Sequence, residues 1–330
     1  MLEIGIQGKL HAWLINFLSN RSQYVNYRSA SSAIVPVSSG VIQGSVLGPL
    51  LFTVFINDLP RVVTSSSLWL FADDVKIVSE ASTDVQCDAL QRDLEAVWEW
   101  SEEMRLPLCL QKCQCLHIGL SNRRRVYNVN GESVSVSDKC VDLGIIRNSS
   151  FSYDDHIRSV ISKASRAAGM IYRVFSLRST AFLTNLFRTY VIPILEYVSP
   201  VWSPAKQGLN DDIERVLRRY TKRLPALRNL SYEQRLERLG MSTLRDRRRL
   251  ADVTMAFRVL HRLVDIQPSD IGITLSVLPT RGGGCNLTVN SASSVKISKT
   301  FSFRIAGEWN SLPLAAKQAS TLRTFKSKFK

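Results

Sequence analysis

Residues 39–52, Ser-Gly-Val-Ile-Gln-Gly-Ser-Val-Leu-Gly-Pro-Leu-Leu-Phe, and residues 68–78, Leu-Trp-Leu-Phe-Ala-Asp-Asp-Val-Lys-Ile-Val, decide how this chain is read. The second stretch is two apolar runs, Leu68–Ala72 and Val75–Val78, meeting at Asp73-Asp74, the pattern of a buried β-hairpin with an acidic tip. Asp favours tight turns because its side chain bonds nearby backbone, so a plain turn is one reading. The borders are apolar on both faces, whereas a surface turn usually joins strands with one polar face. Such a tip also suits a hard cation with oxygen ligands, such as Mg²⁺. Upstream, Gly40, Gly44 and Gly48 punctuate a run that becomes apolar from Val46 to Ile56. That pattern is a Gly-rich loop, whose backbone a ligand can approach closely, entering a buried helix that ends near Asn57-Asp58-Leu59-Pro60. Asp58 reads as a cap or turn residue.

Taken together, residues 39–52, Ile-Asn-Asp-Leu-Pro at 56–60 and Phe-Ala-Asp-Asp at 71–74 resemble, in order and spacing, the reverse transcriptases of non-LTR retrotransposons, the LINE-like, jockey-type elements. The resemblance runs from residue 1 to 330. It implies an RNA-directed DNA polymerase that joins a dNTP to a primer 3′-hydroxyl on an RNA template with Mg²⁺, its partners being RNA template, DNA primer and dNTP. Carried onto this sequence, it makes Asp73 and Asp74 metal ligands and catalytic residues, and it places Gln43, Gly44, Phe71 and Ala72 at the nucleotide. Lys112 falls where the family has a lysine near the leaving pyrophosphate, a candidate general acid; a solvated lysine after a turn is the other reading.

Three departures stand out. Ile42 replaces the family's usual Pro, which frees one backbone dihedral. Cys109 replaces an Asn and cannot make the amide's paired hydrogen bonds. Two-metal phosphoryl transfer needs carboxylates from separate elements, and the only acidic residue before Gln43 is Glu3. The family's first aspartate would lie upstream of Met1, so the expectation is a C-terminal portion holding half a metal site, without endonuclease or fingers. That leaves a second reading open, a catalytically inactive remnant that binds RNA or RNA–DNA hybrid.

Composition agrees with a polyanionic partner: Lys and Arg number 43 against 28 Asp and Glu, a net charge of +15. Six cysteines without a pairing pattern, no basic stretch before an apolar core at the N terminus and no long apolar run point to an intracellular protein that neither enters the secretory route nor spans a membrane. Cys109, Cys113, Cys115 and His117 raise zinc, but the spacing lacks paired C-x₂-C motifs, so small core or edge residues are the alternative reading.

Helical spacing marks 8–18 and 84–105, Asn130-Gly131 signals a type I′ hairpin, and Val141–Ile146 reads as a strand whose Leu143-Gly144 matches the family hairpin that supports the primer. Helices are expected over 155–175, 180–197 and 211–224, the last with an acidic start at Asp211-Asp212. Within 213–262, 14 Lys and Arg face 5 acidic residues, and Arg215, Arg218, Arg219, Lys222 and Arg223 recur on one helix side, either a solvated face or a phosphate track. The expected fold is α+β: a partial right-hand polymerase with one antiparallel palm sheet (68–78, 115–119, 126–136, 141–146) on helices 46–57 and 84–104. The expected organisation is a palm over 1–146, a helical thumb and basic region over 147–264, a linker or mobile loop over 265–300 and a C-terminal tail over 301–330. Trp309-Asn310-Ser311-Leu312-Pro313 in that tail also resembles the family.

Overall fold

A computed structural model describes residues 2–177, 179–276, 285–288 and 300–328. The chain divides into two compact units, Met1–Ser137 and Asp138–Lys330. Both mix helices with short, mostly antiparallel strand pairs, so the α+β class holds.

The first unit runs α1 (Gly8–Leu18), β1 (Arg21–Gln23), β2 (Asn26–Tyr27), β3 (Ala30–Ser31), β4 (Val35–Val37), α2 (Gly48–Ile56), β5 (Ser67–Phe71), β6 (Asp74–Val78), α3 (Asp84–Glu103), β7 (Gln114–Cys115), β8 (Asn128–Val129), β9 (Glu132–Ser133) and β10 (Ser135–Val136). Its main core joins Ile56 of α2, Leu59, and Val97 and Trp100 of α3 to Leu68, Leu70, Val75 and Ile77 of the β5–β6 hairpin. These hairpin residues share one face because side chains alternate along a strand.

The other hairpin face corrects the sequence reading of a fully buried element: Trp69 and Phe71 remain 63% and 64% exposed. Val46, Leu50 and Phe55 are exposed as well, so α2 buries one side only and its first residue is Gly48, two later than the apolar run suggested. An apolar run reports what a segment can bury, and the neighbour decides how much of it is covered.

The single palm sheet is not formed among the described residues. The strands stand as separate two-stranded ladders, β5–β6, β8–β9 and β7–β10, and the last is parallel. The strand expected over 115–119 ends at Cys115. Alternation identifies a strand's faces but not its neighbours, and two-residue ladders offer no free edge long enough to add a third. Asn130 and Gly131 both have positive φ, as the type I′ reading requires.

The second unit opens with the hairpin β11 (Lys139–Asp142) and β12 (Ile145–Asn148), paired antiparallel about Leu143-Gly144, so 141–146 is two strands and a turn rather than one strand. Helices follow: α4 (Asp154–Val174), α5 (Thr180–Tyr190), α6 (Ile192–Glu196), α7 (Ser199–Trp202), α8 (Gln207–Lys222), α9 (Tyr232–Leu239), α10 (Leu244–Leu260), α11 (Phe301–Asn310), α12 (Leu314–Lys317) and α13 (Leu322–Lys328). The helix expected over 180–197 breaks at Val191, and Pro193 and Pro200 sit in the first turns of α6 and α7, where a missing N–H does no harm. α8 begins at Gln207, a turn earlier than expected, so Asp211-Asp212 lie inside it and Asp212 pairs with Arg215 at 2.6 Å instead of capping.

One core packs α4, α5, α6 and α8 around Ala164, Leu183, Phe187, Ile213 and Leu217; a second packs α10 and α11 around Phe257, Ile305, Trp309 and Phe325. Glu214, buried, accepts from the Leu244 and Arg245 N–H groups at 3.2 and 3.3 Å and so caps α10. Of the stretch 265–300, residues 277–284, which include Gly282-Gly283-Gly284, and 289–299 lie outside the described residues. In its described part Leu287 bridges to Leu275, and the Asn310 amide grips the Leu287 N–H and carbonyl at 2.7 and 2.9 Å. Among the described residues no helix is long and apolar enough to cross a membrane.

Candidate functional site

The Gly-rich loop between β4 and α2 is a built turn. The Ser45 N–H reaches the Ile42 carbonyl at 3.2 Å, and Gly44 has φ +80°, which puts Gln43 and Gly44 at the two central positions of a β-turn. The Ser45 hydroxyl donates to the same carbonyl (2.6 Å) and accepts from the Gly48 N–H (3.0 Å), fixing the turn to the first residue of α2. A Cβ at Gly48 would lie 3.0 Å from both the Ile42 carbonyl and Ser45 Oγ, so this close approach requires glycine. Arg21 holds the loop's entry: its guanidinium donates to the Leu18 carbonyl at 2.9 Å and to the Ser39 and Gly40 carbonyls at 3.2 and 2.6 Å. Gln43 and Gly44 are exposed at the tip.

In the acidic hairpin, Phe71 pairs with Asp74, leaving Ala72-Asp73 as a two-residue connection. Ala72 sits at φ +51°, a left-handed backbone that disfavours every residue but glycine, with Asn and Asp tolerated best among the rest. Asp74 opens β6 on the same face as Lys76 and, across the ladder, Trp69 and Phe71. Asp73 and Asp74 are both exposed. Their oxygens fit two ligand positions of a hard divalent cation. Among the described residues no three His, Cys, Asp or Glu side chains are grouped to hold a metal, so the pair stands without a third ligand of that kind.

Lys112 is exposed on a separate element, the last residue of the 3₁₀ turn Leu110–Lys112. Among the described residues the cysteines nearby are not grouped with enough ligands to hold a metal. Cys115 Sγ lies 3.9–4.0 Å from the His117 ring nitrogens, and Cys113 Sγ turns to the Cys109 carbonyl at 3.5 Å. Burial pushes the Cys113 and Cys115 thiols up, away from the thiolate a metal needs.

The basic residues of α8 occupy one exposed stripe at spacings of three and four, Arg215, Arg218, Arg219, Lys222 and, just past the helix end, Arg223, while Ile213, Val216, Leu217 and Tyr220 face the core. Two guanidiniums lie on tyrosine rings: Arg218 is 4.7 Å from the Tyr232 centroid and Arg223 is 4.1 Å from that of Tyr172. Tyr232 in turn donates to buried Glu214. Charge is divided sharply between the units. Lys and Arg number 11 against 13 Asp and Glu in 1–137, a net of −2, and 32 against 15 in 138–330, a net of +17.

Of the residues that position this site, Arg21, Ser45 and Gly48 were not singled out by role in the sequence. The sequence offers one signal for Arg21, its place in Leu18-Ser-Asn-Arg-Ser-Gln-Tyr-Val25, whose Leu-x-x-Arg-x-Gln-x-Val spacing also resembles the family.

Residues 2–153 match the family described as Reverse transcriptase (RNA-dependent DNA polymerase), and the Gly-rich loop, the acidic hairpin and the β11–β12 hairpin all fall in this segment. The chain is 26% identical over 218 residues to the RNA-directed DNA polymerase from mobile element jockey of Drosophila melanogaster, covering 61% of this chain and 24% of that protein. It is 27% identical over 204 residues to the jockey protein of Drosophila funebris, covering 58% and 22%. Over 202 residues it is 27% identical to the probable RNA-directed DNA polymerase from transposon X-element of Drosophila melanogaster, again covering 58% and 22%. The chain is thus similar to RNA-directed DNA polymerases of jockey and related mobile elements, and it spans 22–24% of the length of these curated relatives. No solved structure matches it.

Proposed function

We propose that this chain works in RNA-directed DNA synthesis by a jockey-type mobile element, adding dNTPs to a primer 3′-hydroxyl on an RNA template. The observation that carries the reading is that the segment matching the family contains both a Gly-turned loop before α2 and a two-carboxylate hairpin tip. The family uses divalent metal; Mg²⁺, held by Asp73 and Asp74, would lower the pKa of the attacking hydroxyl and neutralise charge on the triphosphate.

The chain's own residues do the rest. Gln43 and Gly44 offer an exposed turn backbone with nothing within 4 Å of the Gly44 Cβ position, open to a nucleotide, and Phe71 and Ala72 border the carboxylates. Lys112 supplies a proton or positive charge to the leaving pyrophosphate. The stripe from Arg215 to Arg223 tracks the phosphates of template and primer. Residues 1–146 form the palm part, 147–264 the thumb and basic region, and 301–330 the tail, and the work takes place inside the cell, where element RNA and DNA meet.

Primer extension on an RNA template with Mg²⁺ tests this. Because Asp73 and Asp74 stand without a third carboxylate among the described residues, synthesis is expected from the chain joined to an upstream segment that supplies one, and its loss in the Asp73→Ala variant of that form. Synthesis that survives Asp73→Ala removes Asp73 from the site. Duplex binding with no synthesis at all would favour the remnant that only binds nucleic acid.

A further inference from the structure

The tail motif Trp309-Asn310-Ser311-Leu312-Pro313 lies outside the segment that matches the reverse transcriptase family and takes no part in the chemistry above. In the fold it closes on Cys285-Asn286-Leu287-Thr288, a non-helical stretch that runs antiparallel to residues 274–276. The Ser276 N–H donates to the Asn286 carbonyl and the Thr288 N–H to the Thr274 carbonyl, both at 2.8 Å, as in a β ladder. Main-chain groups alternate along a strand, so the Cys285 carbonyl and both Leu287 groups point to the opposite edge. Side chains meet them there.

Asn310, the last residue of α11, stands in for a neighbouring strand. Its Oδ1 accepts from the Leu287 N–H at 2.7 Å and its Nδ2 donates to the Leu287 carbonyl at 2.9 Å. An amide side chain carries both groups at the spacing of a peptide. The Trp309 indole N–H donates to the next outward carbonyl, that of Cys285, at 2.8 Å. Lys317, the last residue of α12, is only 4% exposed; its Nζ donates to Asn286 Oδ1 at 2.8 Å and to the Asn310 carbonyl at 3.0 Å. Leu287 is 3% exposed and enters the core of Phe257, Ile305, Trp309 and Phe325.

Packing of one leucine needs no main-chain contacts, yet here every outward group from the Cys285 carbonyl to the Leu287 carbonyl is matched by a tail side chain. This is the logic of β-augmentation, in which main-chain bonds hold an extended peptide and pockets choose its side chains. Lys317 selects the Asn and the apolar core selects the Leu. We propose that Trp309, Asn310 and Lys317 form a peptide-binding slot for an extended strand carrying Asn-Leu, and that residues 285–288 are its resident ligand, held in cis. The slot is independent of the polymerase reading.

Asn286→Ala with Leu287→Ala in the full chain should vacate the slot. A fluorescein-labelled peptide of residues 284–289, followed by anisotropy, is expected to bind this variant. It should bind the wild-type chain about 100-fold more weakly, because the resident strand competes at an effective concentration on the order of millimolar. Adding Asn310→Ala to the vacated variant, or changing the Asn or Leu of the peptide to alanine, should cost about tenfold or more in affinity. A vacated chain that keeps its helical content but binds no peptide overturns the proposal, as does binding indifferent to Asn310. If the vacated chain unfolds, Asn310→Ala in the otherwise intact chain decides: amide exchange at Leu287 should rise about tenfold while α10 keeps its protection, and unchanged exchange overturns the proposal. A chain that dimerises only with Leu287 intact places the strand in a second copy and overturns the cis assignment.

Discussion

Ala72 carries a contradiction between side chain and backbone. It lies in the two-residue connection before Asp74, at a φ that glycine accepts freely and alanine does not. Left-handed backbone costs an L-residue about 1–2 kcal/mol, whereas glycine loses about 0.5–1 kcal/mol more than alanine in entropy on folding. Ala72→Gly should therefore raise stability by about 0.5–1 kcal/mol in urea unfolding, and a loss of stability would show that the left-handed geometry is not kept in solution. The identity of the tip residues was legible in the sequence because Phe-Ala-Asp-Asp is a contiguous motif. The strain at Ala72 was not, since nothing in a residue's name gives its φ. The same divide runs through the Gly-rich loop. Gln43 and Gly44 stand out in sequence, but Arg21 acts through carbonyls 18 and 19 residues away, a contact that only the folded chain brings together.

α3 shows how an element can be read correctly and its chemistry missed. The helix is present almost as its apolar spacing predicts, with Thr83 and Gln86 forming a reciprocal cap at its start. Asp93 belongs to the polar positions of that pattern and so reads as solvated, yet it is only 2% exposed. Its carboxylate accepts from the Thr64 N–H at 3.0 Å and the Ser65 N–H at 3.1 Å, tying α3 to the segment that enters β5. Periodicity cannot separate a carboxylate facing water from one facing a loop of free N–H groups. Two residues earlier, the Gln91 amide pairs with the Asn128 N–H and carbonyl at 3.0 and 2.7 Å, so one turn of α3 fastens loops on both sides.

Burial works to raise the Asp93 carboxyl, and the N–H groups of Thr64, Ser65 and Ser66 with the Ser66 side chain outweigh it, leaving the carboxyl below its ordinary 3.8. The unfolded chain then takes up the proton first as pH falls. The stabilisation is present above about pH 4 and is lost as pH drops through the lower, folded value. Asp93→Asn should cost about 1–3 kcal/mol at pH 7, because an amide leaves buried N–H groups short of an acceptor. The gap between variant and wild type, measured by urea midpoints, should narrow below pH 4; a gap constant down to pH 2 would show that Asp93 is not ionised in the fold.

Across the whole molecule the decisive feature is where the charge sits. A net of +15 says only that the chain favours polyanions, and composition alone spreads that preference evenly. The fold concentrates it, −2 in 1–137 and +17 in 138–330, and it lays four cations of α8 and Arg223 just past its end along one exposed line. Helical spacing made this stripe legible in advance. What the sequence could not show is that Tyr172 and Tyr232 hold Arg223 and Arg218 flat against the surface, since these rings come from α4 and α9. Stacked guanidiniums lose less freedom on meeting a phosphate, so the stripe should act as preset contacts. If all five neutralise phosphates on a duplex, the logarithm of affinity falls with that of salt at a slope of about −4.5, and raising salt from 50 to 200 mM weakens binding about 500-fold. Replacing Arg219 and Lys222 together with alanine should bring the slope to about −2.7 and the loss to about 40-fold. The pair is chosen because neither residue supports a tyrosine ring, so the helix keeps its packing. A double variant with the wild-type slope would move the phosphate contacts off α8 and onto other cations of 138–330.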